Sequence, residues 1–212
     1  MVTVMSRQKL ETKEIRICFV GESFVNGTGD PEFLGWTGRV CINAQQKGYE
    51  ITYYNLGVRA ETSRYLKQRW FQEVSYRLPQ EIDGRVVFSF GVNDSGWAGK
   101  KQGIELPETI ENTRSILSEA KQFYPVLMIG PPPCGDVEQE QRNQIIANLS
   151  QQFALICREL DIPYLDVFST LVNSSVWLAE AKANDKAHPR AAGYAEFATV
   201  VQNWDGWLSW FS

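Results

Sequence analysis

Five strand-length apolar runs, Ile15–Val20, Tyr49–Leu56, Arg85–Phe90, Val126–Ile129 and Ile162–Asp166, are separated by stretches of helical periodicity. Short apolar runs that break at glycine, as at Gly21, Gly57, Gly91 and Gly130, read as strands buried on both faces. The intervening stretches carry apolar residues at i, i+3 and i+4. Examples are Trp36, Val40 and Ala44, then Leu66, Trp70 and Val74, then Ala195, Phe197, Ala198 and Val201. Strands that alternate with helices at this pace predict a mostly parallel sheet with helices on both faces, an α/β class with right-handed crossovers. The expected strand order is 2-1-3-4-5. No repeat or linker divides the chain, so residues 15–212 are expected to form a single domain behind a flexible N-terminal arm, residues 1–14.

Composition excludes several function classes. With 43% hydrophobic residues the 212-residue chain can build a full core. A formal charge of −4 gives no basic patch for nucleic acid or anionic lipid. No apolar run reaches 18 residues, and Met1–Glu14 lacks the apolar centre of a signal peptide, so the expected location is cytoplasmic, without a membrane anchor. The four cysteines, Cys18, Cys41, Cys134 and Cys157, form no Cys-x-x-Cys pair, and one histidine completes no usual zinc site. No metal and no cofactor is expected. The aromatic tail Trp204, Trp207, Trp210 and Phe211 reads as cover for the edge of the core, and it leaves a homo-oligomeric contact open.

Ligands of open α/β sheets bind beyond the carboxyl ends of the strands. Ser23 follows the first strand, Gly57 the second, Asn93 the third, and Asp185-x-x-His188 lies beyond the fifth. Each alone reads as ordinary turn or cap chemistry. Together, at one sheet edge, they supply the parts of acyl transfer: a hydroxyl nucleophile, an imidazole base with its acid, and N–H donors for an oxyanion. His188 is the only histidine, so an imidazole base has no rival in the chain. Imidazole, with an ordinary pKa of about 6.5, suits proton transfer near neutrality.

Four blocks, Gly21-Glu22-Ser23, Asn55-Leu56-Gly57, Gly91-Val92-Asn93-Asp94 and Asp185-Lys186-Ala187-His188-Pro189, resemble in type and order those of the SGNH hydrolases, the GDSL-like esterases and lipases. The resemblance runs from the first strand to the last helix. It implies a flavodoxin-like three-layer α/β/α sandwich and a catalytic triad of Ser23, Asp185 and His188. It also implies an oxyanion hole from Ser23, Gly57 and Asn93, and no metal. The substrate it implies is a small-molecule ester: a short-chain acyl ester, a lysophospholipid, an acetylated sugar or a thioester. Candidate substrate-binding walls are Phe24, Trp36 and Trp97, the last in the loop Ser95–Leu106. Two departures stand out. The family's usual aspartate before the serine is Glu22 here, and a glycine often found just after the glycine of the second block is replaced by Ala60, or by nothing.

Two rival readings use the same residues. In a flavodoxin-like binding module the loop Gly21–Asp30 would cradle a flavin or nucleotide phosphate. In a cysteine enzyme Cys134, which follows the fourth strand, would be the nucleophile paired with His188.

Overall fold

The structure, a computed structural model, describes residues 14–96, 103–135 and 140–211. Of the expected N-terminal arm all but Glu14 lies outside the described residues, as does Trp97. Strands β1 (Ile15–Gly21), β2 (Ile51–Gly57), β3 (Asp83–Ser89), β4 (Val126–Ile129) and β5 (Tyr164–Leu165) form one parallel sheet in the order 2-1-3-4-5. The topology and the three-layer arrangement are those expected. The register sets the functional edge. Gly21 pairs with Gly57 on one side and with Ser89 on the other, so three strands end in one row and their exit turns open side by side.

Strand β1 is buried on both faces, and its period-two alternation divides the core. Ile17 and Phe19 point to a cluster with Trp36, Val40, Trp177 and Phe197. Cys18 and Val20 point to the other, with Leu66, Trp70, Phe88, Ile116 and Phe153. Helices α2 (Gly35–Gln46), α7 (Ser175–Ala183) and α8 (Ala191–Gln202) supply the first layer. Helices α3 (Ser63–Arg77), α4 (Leu106–Ala120) and α5 (Glu140–Glu159) supply the second.

Three short helices lie where sequence periodicity has too few residues to register. α1 (Ser23–Asn26) interrupts the expected loop: Asn26 N–H bonds the carbonyl of Glu22, Gly27 and Thr28 bond that of Ser23, and Gly27, at φ 81°, ends it. The others are α6 (Phe168–Leu171) and α9 (Asp205–Leu208). Strand β5 is shorter than its apolar run, because Pro163 has no N–H for a ladder and Asp161 turns the chain at φ 52°. At the C-terminus Trp207 packs 6.2 Å from Phe19 and edge-on to Phe211, covering the rim of the first cluster as expected.

The expectation that Trp36 lines a substrate wall is corrected. Its side chain is 0% exposed, stacked on Phe197 at 4.8 Å and edge-on to Phe19 at 5.5 Å. The periodicity that predicts α2 explains this, since Trp36, Val40 and Ala44 form one stripe and that stripe faces the sheet.

Candidate active site

Ser23 is the first residue of α1, placed there by the tight turn after β1. Its Oγ lies 2.7 Å from Nε2 of His188, a contact across 165 residues of chain. Nδ1 of the same ring lies 2.7 Å from Oδ2 of Asp185. A carboxylate opposite Nδ1 places the ring proton there and leaves the Nε2 lone pair for the serine hydroxyl. Oδ1 of Asp185 accepts the backbone N–H of His188 at 2.8 Å and of Ala187 at 3.1 Å. The chain turns back this sharply because Lys186 adopts the left-handed conformation, φ 70°. Burial alone would raise the Asp185 carboxyl. The hydrogen bonds and charge of His188, with the Ala187 N–H, outweigh it and hold the carboxyl well below the usual carboxylate range. On its open side stands Arg59, with Nη2 4.0 Å from Oδ2.

The site is recessed: Ser23 is 3% and His188 5% exposed. Phe24 lies tilted against the His188 ring at 4.6 Å and stacks on Trp177 at 5.9 Å. Trp177 is fixed in turn by donating Nε1–H to the Pro133 carbonyl at 3.0 Å. Sequence periodicity did not single out Trp177, whose helix has too short an apolar stripe to set it apart.

The structure brings Gly57 and Asn93 to the same edge, each already engaged. Gly57 N–H donates to Asn55 Oδ1 at 3.0 Å. A side chain at Gly57 would put its Cβ 2.2 Å from the Asn26 nitrogen, so only glycine lets β2 approach α1 this closely. Asn93 Nδ2 donates to Oε2 of Glu22 and to the Glu61 carbonyl, the latter at 3.0 Å. The Ser23 N–H opens α1, where a helix leaves its donors without intrahelical acceptors. Ala60, three residues beyond Gly57, has φ 62°, a left-handed turn with an L side chain in it.

Glu22 and Arg142 are the residues whose parts sequence reasoning missed. Glu22, 1% exposed, bridges the turns after β1 and β3. Arg142 is buried on α5 and donates Nη2–H to Val92 C=O and Nε–H to Ser95 Oγ, both at 3.0 Å. A signal for Arg142 did exist: a cation in the stripe Arg142, Ile146, Leu149 and Phe153 of an otherwise amphipathic helix.

The rival readings meet different geometry. The Cys134 thiol is fully buried and burial pushes it up to about 11, while Asn143 brackets its backbone N–H and C=O at 2.9 and 3.0 Å. Such a thiol carries little of the nucleophilic thiolate near neutrality. In the loop Gly21–Asp30 the N–H groups of Asn26, Gly27, Thr28 and Asp30 bond the loop's own carbonyls.

Among the described residues no helix is long and apolar enough to cross a membrane. A search of curated proteins finds no match. Among solved structures the chain is similar to Axe2, an acetylxylan esterase from Geobacillus stearothermophilus, at TM-score 0.73 and 21% identity over 90% of this chain and 94% of that one. Solved catalytic mutants of that enzyme replace a serine, an aspartate, and a histidine three positions beyond the aspartate. A lipase/acylhydrolase from Enterococcus faecalis matches at TM-score 0.67 and 18% identity, over 89% and 93% of the two chains. The family profile for GDSL-like lipases and acylhydrolases matches residues 19–196, which contain every polar group described above, and the chain therefore belongs to the GDSL-like Lipase/Acylhydrolase family of ester hydrolases.

Proposed function

We propose that this enzyme hydrolyses carboxylic esters with short acyl groups through an acyl-enzyme on Ser23, with residues 15–212 acting as one domain. The observation that carries the reading is the continuous line from Ser23 Oγ to His188 to Asp185, with both links at 2.7 Å. Nε2 takes the hydroxyl proton as Oγ attacks the acyl carbon, and Asp185 stabilises the imidazolium that results. The tetrahedral oxyanion is met by the N–H groups of Ser23 and Gly57 and by the Asn93 amide, the last two exchanging their protein acceptors for it. The C–O bond to the leaving alcohol then breaks, and the alcohol takes the proton from Nε2. Water repeats the cycle: Nε2 accepts its proton, the hydroxyl adds to the acyl carbon, and Ser23 leaves with its proton restored. The carboxylic acid is released.

Short acyl groups are favoured by the recessed serine and by the aromatic wall of Phe24 and Trp177. The same fold in an acetylxylan esterase, whose catalytic mutants fall on the same residue types at the same Asp-x-x-His spacing, agrees with an acetyl ester. The test is hydrolysis of chromogenic esters from acetyl to octanoyl by wild type and Ser23→Ala, both checked for folding by circular dichroism. Turnover is expected for acetyl and butyryl esters and should be lost in the variant. Turnover that survives the substitution overturns the reading.

A further inference from the structure

Glu22 is a buried carboxyl of the site that this mechanism leaves unused. It stands at the N-cap of α1, where an acid ordinarily accepts from the first-turn N–H groups, yet its side chain makes no cap bond. It crosses instead to the turn after β3. Oε1 accepts the Val92 N–H at 2.8 Å, and Oε2 accepts the Asn93 N–H at 3.1 Å and one hydrogen of Asn93 Nδ2. The second Nδ2 hydrogen goes to the Glu61 carbonyl at 3.0 Å. An amide nitrogen has two hydrogens, so the protein holds both. An aspartate, shorter by one C–C bond of about 1.5 Å, would not span the same gap.

The oxyanion of the acyl adduct needs one of those hydrogens. A carboxylate holds an N–H roughly twice as strongly as a neutral acceptor does. While Glu22 is charged, two anions in a water-poor site compete for one donor and repel each other. A neutral Glu22 removes the competition and brings a proton of its own. A rotation of the Asn93 amide then carries the Nδ2 hydrogen that Glu22 held to the adduct.

Resting on the reading of Ser23 as nucleophile, we propose that Glu22 is a positioning residue for the oxyanion donor. Its carboxyl sets the direction of the Asn93 amide, and its charge decides whether that amide stays with the protein or passes to the adduct.

The groups around the carboxyl come from several elements. Asp94, buried on the same turn, opposes its ionisation, and Arg142 of α5 favours it. Cys134, after β4, is a neutral thiol, and Glu61 commits its own carboxylate to Arg69 of α3. His188 lies beyond Ser23. Burial first, and Asp94 second, push the Glu22 carboxyl up to about 8, against the pull of the Asn93 and Val92 N–H groups and Arg142. Its charge therefore changes in the mildly alkaline range.

The experiment is the pH profile of kcat and kcat/KM from pH 5 to 10 on phenyl acetate, corrected for spontaneous hydrolysis. It compares wild type, Glu22→Gln and Asn93→Ala. In wild type, kcat is expected to fall about tenfold per pH unit above the Glu22 midpoint. Glu22→Gln, which cannot ionise, should lose that alkaline limb, and Asn93→Ala should be slower throughout and keep only the smaller limb that charge repulsion leaves. A purely structural role for Glu22 would lower thermal stability without removing an ionisation. A wild-type rate that stays flat to pH 10, or a limb unchanged in Glu22→Gln, overturns the proposal and leaves Ser23 untouched. If Glu22→Gln does not fold, a limb as large in Asn93→Ala as in wild type overturns it just as well. Ester turnover unaffected by Ser23→Ala sinks the nucleophile and the Glu22 proposal with it.

Discussion

Asp185 holds His188 twice, through different oxygens: Oδ1 accepts the backbone N–H at 2.8 Å and Oδ2 faces ring Nδ1 at 2.7 Å. One carboxylate thus fixes both the position of the residue and the tautomer of its ring. An amide in its place keeps an oxygen for the backbone but presents an N–H to Nδ1, which drives the ring proton to Nε2. The equivalent change in a serine protease lowers kcat about 10⁴-fold. Asp185→Asn is expected to lose activity on that order in steady-state kinetics with a thermal midpoint close to wild type.

Two perturbed carboxyls of the site, Asp185 and Glu22, tilt stability in opposite directions with pH. Asp185 is lowered, so its contribution is present above its unfolded pKa and is lost as pH falls towards the folded value. Glu22 is raised to about 8, so the stability of its neutral form is complete below the ordinary glutamate range and is lost as pH rises through 8. Urea unfolding of wild type between pH 5 and 9 is expected to show declining stability with rising pH. Glu22→Gln should flatten that slope, and an identical slope in the two proteins would contradict it.

Trp36 separates core from pocket. Trp36→Ala removes a fully buried indole stacked on Phe197 and should cost about 3–5 kcal/mol in denaturant unfolding. The relative rates on acetyl and butyryl esters should not move in the folded fraction. Phe24→Ala, beside the His188 ring, should change them.

Gly57→Ala puts a methyl group 2.2 Å from the Asn26 nitrogen and 2.8 Å from the Glu22 carbonyl, both backbone atoms with no rotamer to escape into. Either β2 or α1 must move, and α1 carries Ser23. The expected result is a large loss of kcat together with a lowered thermal midpoint. Full activity would show that the two segments pack less rigidly.

The sheet was legible in the sequence because each strand is a short apolar run, four of the five stopping at a glycine, and most of the longer helices because of their apolar stripes. Helices α1, α6 and α9, of four residues each, are shorter than one such repeat and left no periodic trace. Ser23 stood out by its place after the first strand, and Asp185 and His188 by theirs beyond the fifth. Their alignment depends on the left-handed Lys186, a residue whose identity gives no hint of positive φ. Trp36 misled because an aromatic residue near the nucleophile in sequence lies, one helical stripe later, on the far side of the wall. Glu22 was visible only as a departure from the family's aspartate. Its reach across to Asn93 is a tertiary contact over 71 residues that no local pattern encodes.

The hydroxyl and the imidazole that meet at 2.7 Å enter the chain 165 residues apart, and the row of Gly21, Gly57 and Ser89 between them closes only when three strands are in register. On the proposed mechanism, a nascent chain on the ribosome carries an inert serine until the last helices emerge and dock. Ester turnover thus doubles as a readout of folding: it counts only molecules whose two ends have met, and it should disappear in step with global unfolding rather than fade with any local fraying.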